Sequence, residues 1–595
     1  MAQNTEVSRL LKLFDDAQRT RQDKKDTVFK ELDAFDRGDQ WNIKNTAYPP
    51  WIPRPVTNYV HYVRTYKTAS ISVESLIGKL RPITPEDVED VGKLQTVYEY
   101  LWDYLKLKHK IRDTISDSRL FGTGILQIGW DESKLVGGKG YRAEGEITAT
   151  LIPPVNFYPD PTAFDLDSCR YVVIAERKTK NWLMTQPQFK EKATKIQELT
   201  SKDAAYKGEV LYRDYTTNQT AALDFYSFYE KVPNKDGGFG IKVTYVANGE
   251  ILHIIEDLKP ACYPFLVLRE WKQTHDFWGK SSCETILDNQ KLINKIESII
   301  ATIGTLLSNP IKIVNQASGI DPKTVSKYGS ASGYTFQSKI DVQKAIHFVD
   351  PPQIPPSLFR LLEETKGAIK EIAGLNDAYV GNAIGSVQTS AGVNSLIDRS
   401  TIRDKDAMYE LELFITDLTS ILIKFMTTHY DTKRMLRIEN KDPNSEEDFT
   451  FVEFIGKEFE EIEFDFLVDV TTKTEHSKQK EAQDMKDLLQ MQMQFQPAIP
   501  LVTVEEAIQM SDISALNKDV ILKRMREQES SNQLDKMKQV IQFAIGAINA
   551  PDAQEQGLNI DQIAEAGVQI MQPTDTKLGS VGDNQNGVQS RQAGI

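Results

Sequence analysis

The sequence predicts an α+β fold, in which a mixed region of helices and short strands is followed by long amphipathic helices. Strand-like apolar runs recur between about residues 125 and 270, many of them bounded by Gly, Pro or Asn. From Ser281 the apolar spacing changes to three and four residues and continues to Ser308, which is typical of a helix. The 595 residues suffice for several domains, or for one core with large insertions.

Composition excludes several classes of protein. With 40% hydrophobic and 26% charged residues, the chain falls in the ordinary globular range. The net charge of −14 argues against a protein whose whole surface grips nucleic acid. There is no apolar window of about 18 residues and no signal-peptide pattern, so we expect no membrane segment and a place in the cytosol or in something assembled there. Three widely separated cysteines support neither a disulfide framework nor a zinc site.

The first 270 residues alternate between helical and strand patterns. Helices are predicted at residues 7–35, about 56–80 and about 86–110, and Gly38 should end the first of them. The proline-rich run from Tyr48 to Pro55 should be extended, because a proline biases the preceding residue away from the helical conformation. Strands are predicted at residues 125–130, 146–153, 170–177, 222–230, 241–255 and 264–270.

Residues 281–308 can form one helix about 42 Å long. On a helical projection most of its apolar residues share one arc, and a narrow polar stripe lies opposite. We therefore expect one face to pack and the other to face water. The arc contains Leu292, Ile293, Ile296, Ile299, Ile300, Ile303, Leu306 and Leu307, and the stripe contains Lys291, Lys295, Ser298, Thr302 and Thr305.

An insert, residues 309–355, separates this helix from a second one. Asn309-Pro310 should end the first helix, and the insert holds two β-like runs, Ile311–Val314 and Ala345–Val349. Its five lysines and three aspartates give it a net charge of +2 within a chain of −14. The second helix is predicted at residues 357–373, with Gly374 as its C-terminal cap.

The stretch that follows is nearly free of charge. Between Glu371 and Asp398 the only charged residue is Asp377, although 26% of the chain is charged. Such a stretch suits a surface that must not hold phosphates, but a flexible linker would have the same composition. Helix is predicted again at residues 393–430 and over much of 475–548, and strands between 450 and 470. The residues from Pro573 onward carry too few aliphatic side chains to build a core.

The motifs that would carry chemistry are incomplete. Gly279-Lys280-Ser281 resembles the end of a phosphate-binding loop, but Thr274 stands where that loop needs glycine, so capping of a helix by Ser281 or Ser282 is the better interpretation. Gly122-Thr-Gly124 reads as a turn. Three aspartates, Asp160, Asp165 and Asp167, form either a cation site or, more simply, an acidic turn. We predict no catalytic residue, no metal site and no cofactor.

Several segments of the chain form a recognisable series when taken in order. They are Phe35-Asp-Arg-Gly-Asp-Gln-Trp41, Arg54-Pro-Val-Thr-Asn58, Phe121-Gly-Thr-Gly124 leading into Ile128-Gly-Trp-Asp131, Ile152–Pro161, Gly279–Asn294 with Gln290 and Asn294, and Thr389-Ser-Ala-Gly392. In this order they resemble tailed-bacteriophage portal proteins, the head-to-tail connectors. The resemblance covers about residues 30 to 430, and residues 475–595 match only weakly.

The resemblance implies a structural protein rather than an enzyme. It implies a homo-oligomeric ring of about twelve subunits at one capsid vertex, through which double-stranded viral DNA enters during packaging and leaves on infection. The implied partners are the terminase large subunit, the major capsid and scaffolding proteins and a tail adaptor, with no membrane. The implied location is the virion, after assembly in the host cytoplasm.

The same resemblance implies a division of the chain and a role for each part. Residues 1–270 and 393–470 would form the wing, 271–308 and 356–373 the stem helices, 309–355 the clip, 374–392 the tunnel loop, 471–571 a helical crown and 572–595 a disordered tail. Asn376, Tyr379, Asn382, Ser386 and Gln388 would face DNA from the tunnel loop. The polar stripe of the first stem helix would line the channel, and Lys323, Lys327, Lys339 and Asp341 would serve docking at the clip.

Two alternatives remain at this level. A different ring of the head-to-tail machinery, such as an adaptor, is disfavoured by the length and by the helix–insert–helix order. A packaging ATPase or nuclease is disfavoured because the phosphate loop and the metal cluster are missing. Taken without the resemblance, the helices alone fit an ordinary helical bundle.

Overall fold

The computed structural model describes residues 2–21, 25–41, 49, 51–71, 78–83, 88–136, 143–194, 196, 223–234, 238–328, 335–350, 352–375, 405–431, 433–439, 449–459 and 464–467. By compactness the chain divides into two units. The first comprises Met1–Glu439 with Phe449–Ser477 and holds every described residue, and the second comprises Asn440–Asp448 with Lys478–Ile595. Helices and antiparallel sheets occur together in the first unit, which confirms the α+β class.

The first 270 residues contain seven described helices and nine described strands. The helices are α1 (Ala2–Arg21), α2 (Thr27–Asp36), α3 (Tyr59–Ala69), α4 (Val88–Tyr104), α5 (Leu107–Phe121), α6 (Lys180–Thr185) and α7 (Lys190–Ala193). The strands are β1 (Lys79–Pro82), β2 (Thr123–Val136), β3 (Ala143–Ile152), β4 (Phe157–Pro159), β5 (Tyr171–Lys178), β6 (Leu223–Pro233), β7 (Phe239–Ala247), β8 (Glu250–Ile255) and β9 (Phe265–Arg269).

Long helices dominate the second half of the described chain. Its elements are α8 (Ser282–Ser308), β10 (Lys312–Val314), α9 (Pro322–Tyr328), α10 (Val342–Ala345), β11 (Ile346–Phe348), α11 (Pro356–Ala373), α12 (Lys405–His429), β12 (Arg434–Glu439), β13 (Phe449–Phe454) and β14 (Phe464–Leu467). No described helix is both long enough and apolar enough to cross a membrane.

Two antiparallel sheets organise the mixed region. One has five strands in the order β4-β5-β6-β7-β8, and the other has three in the order β3-β2-β9. Strands β1 and β14, β10 and β11, and β12 and β13 form separate antiparallel pairs. Because β1 pairs with β14, and α12 packs against β9, the chain beyond residue 405 returns to the region built by the first 270 residues.

Each sheet is covered by helices that contribute to its core. Helix α1 places Val7, Leu10 and Phe14 against the five-stranded sheet, where Phe14 meets Tyr158 with ring centroids 4.8 Å apart. Helices α4, α5 and α12 share a second core with β2, β3 and β9, which includes the fully buried Trp102. Burial of apolar area at about 25 cal/mol per Å² is the main term that holds these layers together.

Several predicted boundaries are wrong for identifiable reasons. The helix predicted at 56–80 ends at Ala69, and Lys79–Pro82 is a strand paired with β14. The helix predicted at 86–110 is interrupted at Lys106, whose φ is +52°. The strand predicted at 241–255 is two strands joined at Asn248-Gly249, and positive φ at both residues is the geometry of a tight hairpin turn.

Candidate functional site

The first turn of α8 is fixed by a buried charge cluster. Glu270, just after β9, has a fully buried side chain and accepts hydrogen bonds from the Ser282 backbone N–H at 2.8 Å and from the Ser282 hydroxyl. Arg119 of α5 donates to the same carboxylate at 2.7 Å, and the Lys67 ammonium of α3 lies 3.8 Å away. One carboxylate therefore ties α3, α5 and β9 to the start of α8.

Ser281 caps α8, as the sequence predicts. Its hydroxyl accepts from the Glu284 N–H and donates to the Leu120 carbonyl, both at 2.9 Å. Gly122 and Gly279 approach so closely that a Cβ on Gly122, whose φ is +82°, would lie 2.5 Å from the Gly279 oxygen. The Gly279-Lys280-Ser281 segment is therefore packed against backbone, and its serine satisfies a helix terminus.

An extended segment before α3 runs along α8 and is held by three polar side chains. Gln290 accepts from the Tyr59 N–H at 2.9 Å and donates to the Thr57 carbonyl at 2.8 Å. Asn294 accepts from Gln290 and donates to the Gln40 side chain at 2.6 Å. Ser298 donates to the Pro53 carbonyl at 2.7 Å. These buried amides and hydroxyls are paired, which is what their burial requires.

The residues of the predicted polar stripe of α8 differ in how far they are exposed. Lys295 and Thr305 are exposed, while Lys291 and Thr302 are partly buried. Lys291 forms an ion pair with Glu31 of α2 at 2.7 Å, and Ser298 is only 5% exposed. The expectation that the whole stripe faces water is therefore wrong at Ser298, because the chain's own extended segment covers that position.

The predicted apolar arc of α8 is only partly covered. Ile293 and Ile296 are buried, but Leu292, Ile299 and Leu307 are 37%, 38% and 50% exposed. Leu292 and Ile299 are two turns apart and so lie on one line along the helix. Leu307 is eight residues after Ile299 and lies about 80° further round the helix. We call these three exposed apolar residues the apolar edge of α8. No described segment of this chain covers it.

Helix α11 packs against α8 and returns the chain from the insert. Leu362, Thr365, Ile369 and Ala373 are its buried residues, at the three- and four-residue spacing of one helical face. Gly374, with φ of +73°, ends the helix, and the N–H of Leu375 donates to the Lys370 carbonyl at 2.8 Å. Both the helix and its glycine cap confirm the sequence prediction.

The insert is a small unit around a two-stranded ribbon. Lys312–Val314 pairs with Ile346–Phe348, and Ile311, Ile313 and Phe348 are about half exposed or more, at 60%, 55% and 48%. Asp341 caps α10 by accepting from the Gln343 N–H at 3.3 Å. Of the described residues, none forms an ion pair with Lys323, Lys327 or Lys339. Helix α9, in the middle of the insert, was not apparent from the sequence.

Two acidic residues near β4 form ion pairs with basic side chains of the same chain. Burial alone would raise the pKa of Asp160, but hydrogen bonds from Arg170 and Thr162 outweigh that effect and hold the pKa at about 2. Asp165 lies 3.2 Å from Arg269 and 3.1 Å from Lys272. Within the described residues there is no group of His, Cys, Asp or Glu that could hold a metal ion. The turn interpretation of these aspartates is the one that the contacts support.

Part of the predicted site lies outside the described residues. This applies to all five tunnel-loop positions, Asn376, Tyr379, Asn382, Ser386 and Gln388, and to the predicted crown and tail. The sequence did not reveal the cluster around Glu270. Its residues Arg119 and Glu270 are 151 residues apart and belong to no common motif.

Comparison with known proteins gives one finding and one negative result. The family model described as "Phage SU10 portal protein" matches residues 139–572, well over half of the chain. A search of curated proteins finds no match.

Proposed function

This chain belongs to the phage portal protein family, and we propose that it forms a closed ring of about twelve copies at one capsid vertex, as the channel for viral DNA. The observation that carries the proposal is the antiparallel pair α8 and α11. It is anchored at one end by the buried Glu270 cluster, bears a small insert at the other end, and has an apolar edge that no described residue covers.

The apolar edge supports assembly with neighbouring copies. Leu292, Ile299 and Leu307 of α8 are substantially exposed, and so are Phe359 and Leu361 of α11, at 48% and 41%. Covering such side chains stabilises an interface by roughly 1–2 kcal/mol each. In a cyclic ring each subunit offers one edge of its helix pair to the next, so the contact repeats without leaving an open end.

We propose the division of the chain that follows from this ring. Residues 1–270 and 393–470 form the wing, 271–308 and 356–373 the stem, 309–355 the clip, 374–392 the tunnel loop, 471–571 the crown and 572–595 the tail. The length of α8, about 40 Å for 27 residues, suits a stem that separates wing and clip.

We propose that the polar stripe of α8, without the covered Ser298, is the channel face. Lys295, Thr302 and Thr305 remain available, and Lys291 lies beside them with its charge partly neutralised by Glu31. The hydroxyls of Thr302 and Thr305 bond to carbonyls of their own helix, at Ser298 and Ala301. The two threonine hydroxyls therefore have no proton left to donate to a phosphate, and Lys295 is the exposed cation on this face.

The clip is proposed as the docking surface for the terminase large subunit during packaging and for the tail adaptor afterwards. Three observations support this: the exposed ribbon residues Ile311 and Ile313, the open edges of a two-stranded sheet, and lysines 323, 327 and 339 without an acidic partner among the described residues. An unpaired strand edge is a ready template for pairing with another chain.

We further propose that the protein is structural, lies in the virion capsid and contacts the major capsid and scaffolding proteins during assembly in the host cytoplasm. An ATPase assay on purified protein, read beside electron microscopy of the same sample, tests the proposal. Rings without magnesium-dependent turnover support it. Turnover that Lys280→Ala abolishes would instead favour a packaging enzyme.

A further inference from the structure

A cavity of about 390 Å³ lies among the two sheets of the proposed wing and helix α12. Strands β2 and β3 line one side of it, strands β6 and β7 line another, and the C-terminal turns of α12 contribute as well. Small-molecule sites usually have volumes of about 300–1,000 Å³. Every lining residue is described, and none belongs to the stem helices or the clip, so the cavity is separate from the proposed channel face.

The β2–β3 side of the cavity carries two hydroxyl groups that are free to bind a ligand. Gln127 stands opposite Thr150 and Gly129 opposite Thr148, and directly paired residues share one face of a sheet. No residue in the described part of the chain bonds to either threonine hydroxyl. A Cβ on Gly129 would lie 3.2 Å from the Thr148 hydroxyl, so the glycine leaves space in front of it.

The facing sheet contributes two phenols. Gln127 donates to the Tyr229 hydroxyl at 3.0 Å, and the hydroxyls of Tyr229 and Tyr245 are bonded to each other. Burial raises the pKa of both phenols, so both keep their protons at neutral pH. Hydroxyl and amide groups, each able to donate and accept without a charge, therefore line both sides of the cavity.

The opening of the cavity is polar and its inner end is apolar. Thr150 and Gln188 are exposed, and the Gln188 amide has no hydrogen-bond partner among the described residues. Pro264 and Phe425 are buried, and Ile255 is half-buried beside them in the lining. A ligand would therefore meet hydrogen-bonding groups first and an apolar surface behind them.

The charges at the cavity disfavour an anion. Lys259 is paired with Asp257 at 2.9 Å. Burial lowers the pKa of His429, so its imidazole is neutral at pH 7. Glu132, exposed at the opening, forms no ion pair with a described residue. A phosphate entering here would meet this carboxylate and no unpaired cation of the lining, so a nucleotide or another phosphorylated ligand is a poor fit.

A flat aromatic ligand is also disfavoured, because the rings of the lining are used within the chain. The Trp130 ring stacks on His429, with centroids 4.6 Å apart and planes 9° apart. The Tyr245 ring stacks on Phe225 with centroids 5.9 Å apart. A nucleobase needs an open aromatic face on which to stack, and these two faces are covered.

We propose that the cavity is a binding site for a neutral mono- or disaccharide. Such a ligand carries hydroxyls around its ring, which would bond to Thr148, Thr150 and Gln188, and C–H groups on its faces, which would pack against the apolar inner end. The proposal does not depend on the ring of subunits, because one chain supplies the whole lining.

The test is a saturation-transfer NMR titration of the purified full-length protein with glucose, N-acetylglucosamine, maltose and cellobiose. At least one of them should bind with a Kd of about 1 mM or tighter. Thr148→Val/Thr150→Val keeps the shape of both side chains but removes their hydroxyls, and should weaken binding by about tenfold or more. The matched control, Thr65→Val/Thr96→Val, changes two threonines outside the cavity and should bind as the wild type does.

Two further measurements keep the test decisive. Glucose 6-phosphate and glucosamine carry opposite charges on the same ring, and both should bind more weakly than glucose. If the double valine variant fails to fold, Gln188→Ala changes an exposed residue at the opening and should weaken binding by about threefold. The proposal is overturned if none of the four neutral sugars binds, if the cavity variants bind as the wild type does, or if either charged sugar binds more tightly than glucose.

Discussion

The carboxylate of Glu270 accepts a hydrogen bond from the Arg119 guanidinium at 2.7 Å, in a site where both side chains are almost completely buried. The same carboxylate accepts the first backbone N–H of α8, so a charge pair between β9 and α5 also sets where the long helix begins. A buried pair of this kind is costly to break, because the remaining partner is left as an uncompensated charge.

Glu270→Gln should therefore destabilise the protein strongly. The substitution keeps the shape of the side chain but leaves Arg119 and Lys67 without a counter-charge, at a cost of about 3 kcal/mol. Glu6→Gln, which removes a partly exposed partner of Arg9, should cost less than about 1 kcal/mol. Thermal melting followed by circular dichroism compares the two variants, and equal melting temperatures would contradict the role assigned to Glu270.

Two lysine substitutions distinguish the covered and the open parts of the α8 polar stripe. Ser298→Lys should impair folding, because a lysine there must displace the segment at Pro53 or be buried without a partner. Thr305→Lys should fold normally, because that position is exposed, but should slow DNA packaging by adding a cation to the proposed channel face. Soluble yield and packaging rate are the two readouts. The reverse order of folding defects would show that the assignment of faces is wrong.

Removing the apolar edge should weaken the ring while leaving the subunit folded. Leu292→Ser/Ile299→Ser takes away contact area worth roughly 1–2 kcal/mol for each side chain at every subunit interface. Phe239→Ser is the matched control, because Phe239 is 68% exposed on the β6–β7 hairpin and far along the chain from α8. Light scattering should show smaller species only for the double variant, with unchanged helical circular dichroism. Intact rings from the double variant would exclude this edge from the interface.

Charge in the tunnel loop should hinder DNA movement. Asn382→Lys/Gln388→Lys places two cations per subunit near a duplex, and one contact at 4 Å is worth about 4 kcal/mol at an effective dielectric of 20, before desolvation and screening. Rings should form, but packaging and ejection should slow, most at low salt, where screening is weaker. Asn382→Ser should be mild. Normal packaging of full-length genomes by the double-lysine variant in low salt would contradict a mechanical role for the neutral loop.

Shortening the clip should separate assembly from docking. Replacing residues 318–338 with a short linker removes α9 but keeps both strands of the ribbon, Lys312–Val314 and Ile346–Phe348. We expect rings of normal size that fail to package DNA or to attach tails, because the docking surface is lost. Virion yield measures the outcome, and a normal yield would remove the clip from the proposed docking role.

Local patterns predicted the elements that depend on local rules. Helix α8 with its Ser281 cap, helix α11 with Gly374 and most of the strands follow from residue spacing and from capping chemistry. The same patterns predicted the α+β class, which the structure confirms, and the family resemblance predicted a portal protein, which the family match confirms.

The rest depends on contacts between distant parts of the chain. Periodicity shows that α8 has two faces, but Ser298 is buried only because Pro53, 245 residues earlier, lies on it. Lys106 interrupts a predicted helix because its backbone adopts a left-handed conformation. A lysine in the sequence gives no indication of that conformation. Glu270 is unremarkable in sequence, and its importance comes from Arg119 and Lys67, which the fold brings to it.

A reconstruction of the purified protein by electron cryomicroscopy tests the central claim most directly. The account predicts a closed cyclic ring in which Leu292, Ile299 and Leu307 contact the next subunit and Thr302 and Thr305 face a central channel. A stable monomer at micromolar concentration, or a ring in which the apolar edge stays exposed and the α8 stripe points away from the channel, would contradict it.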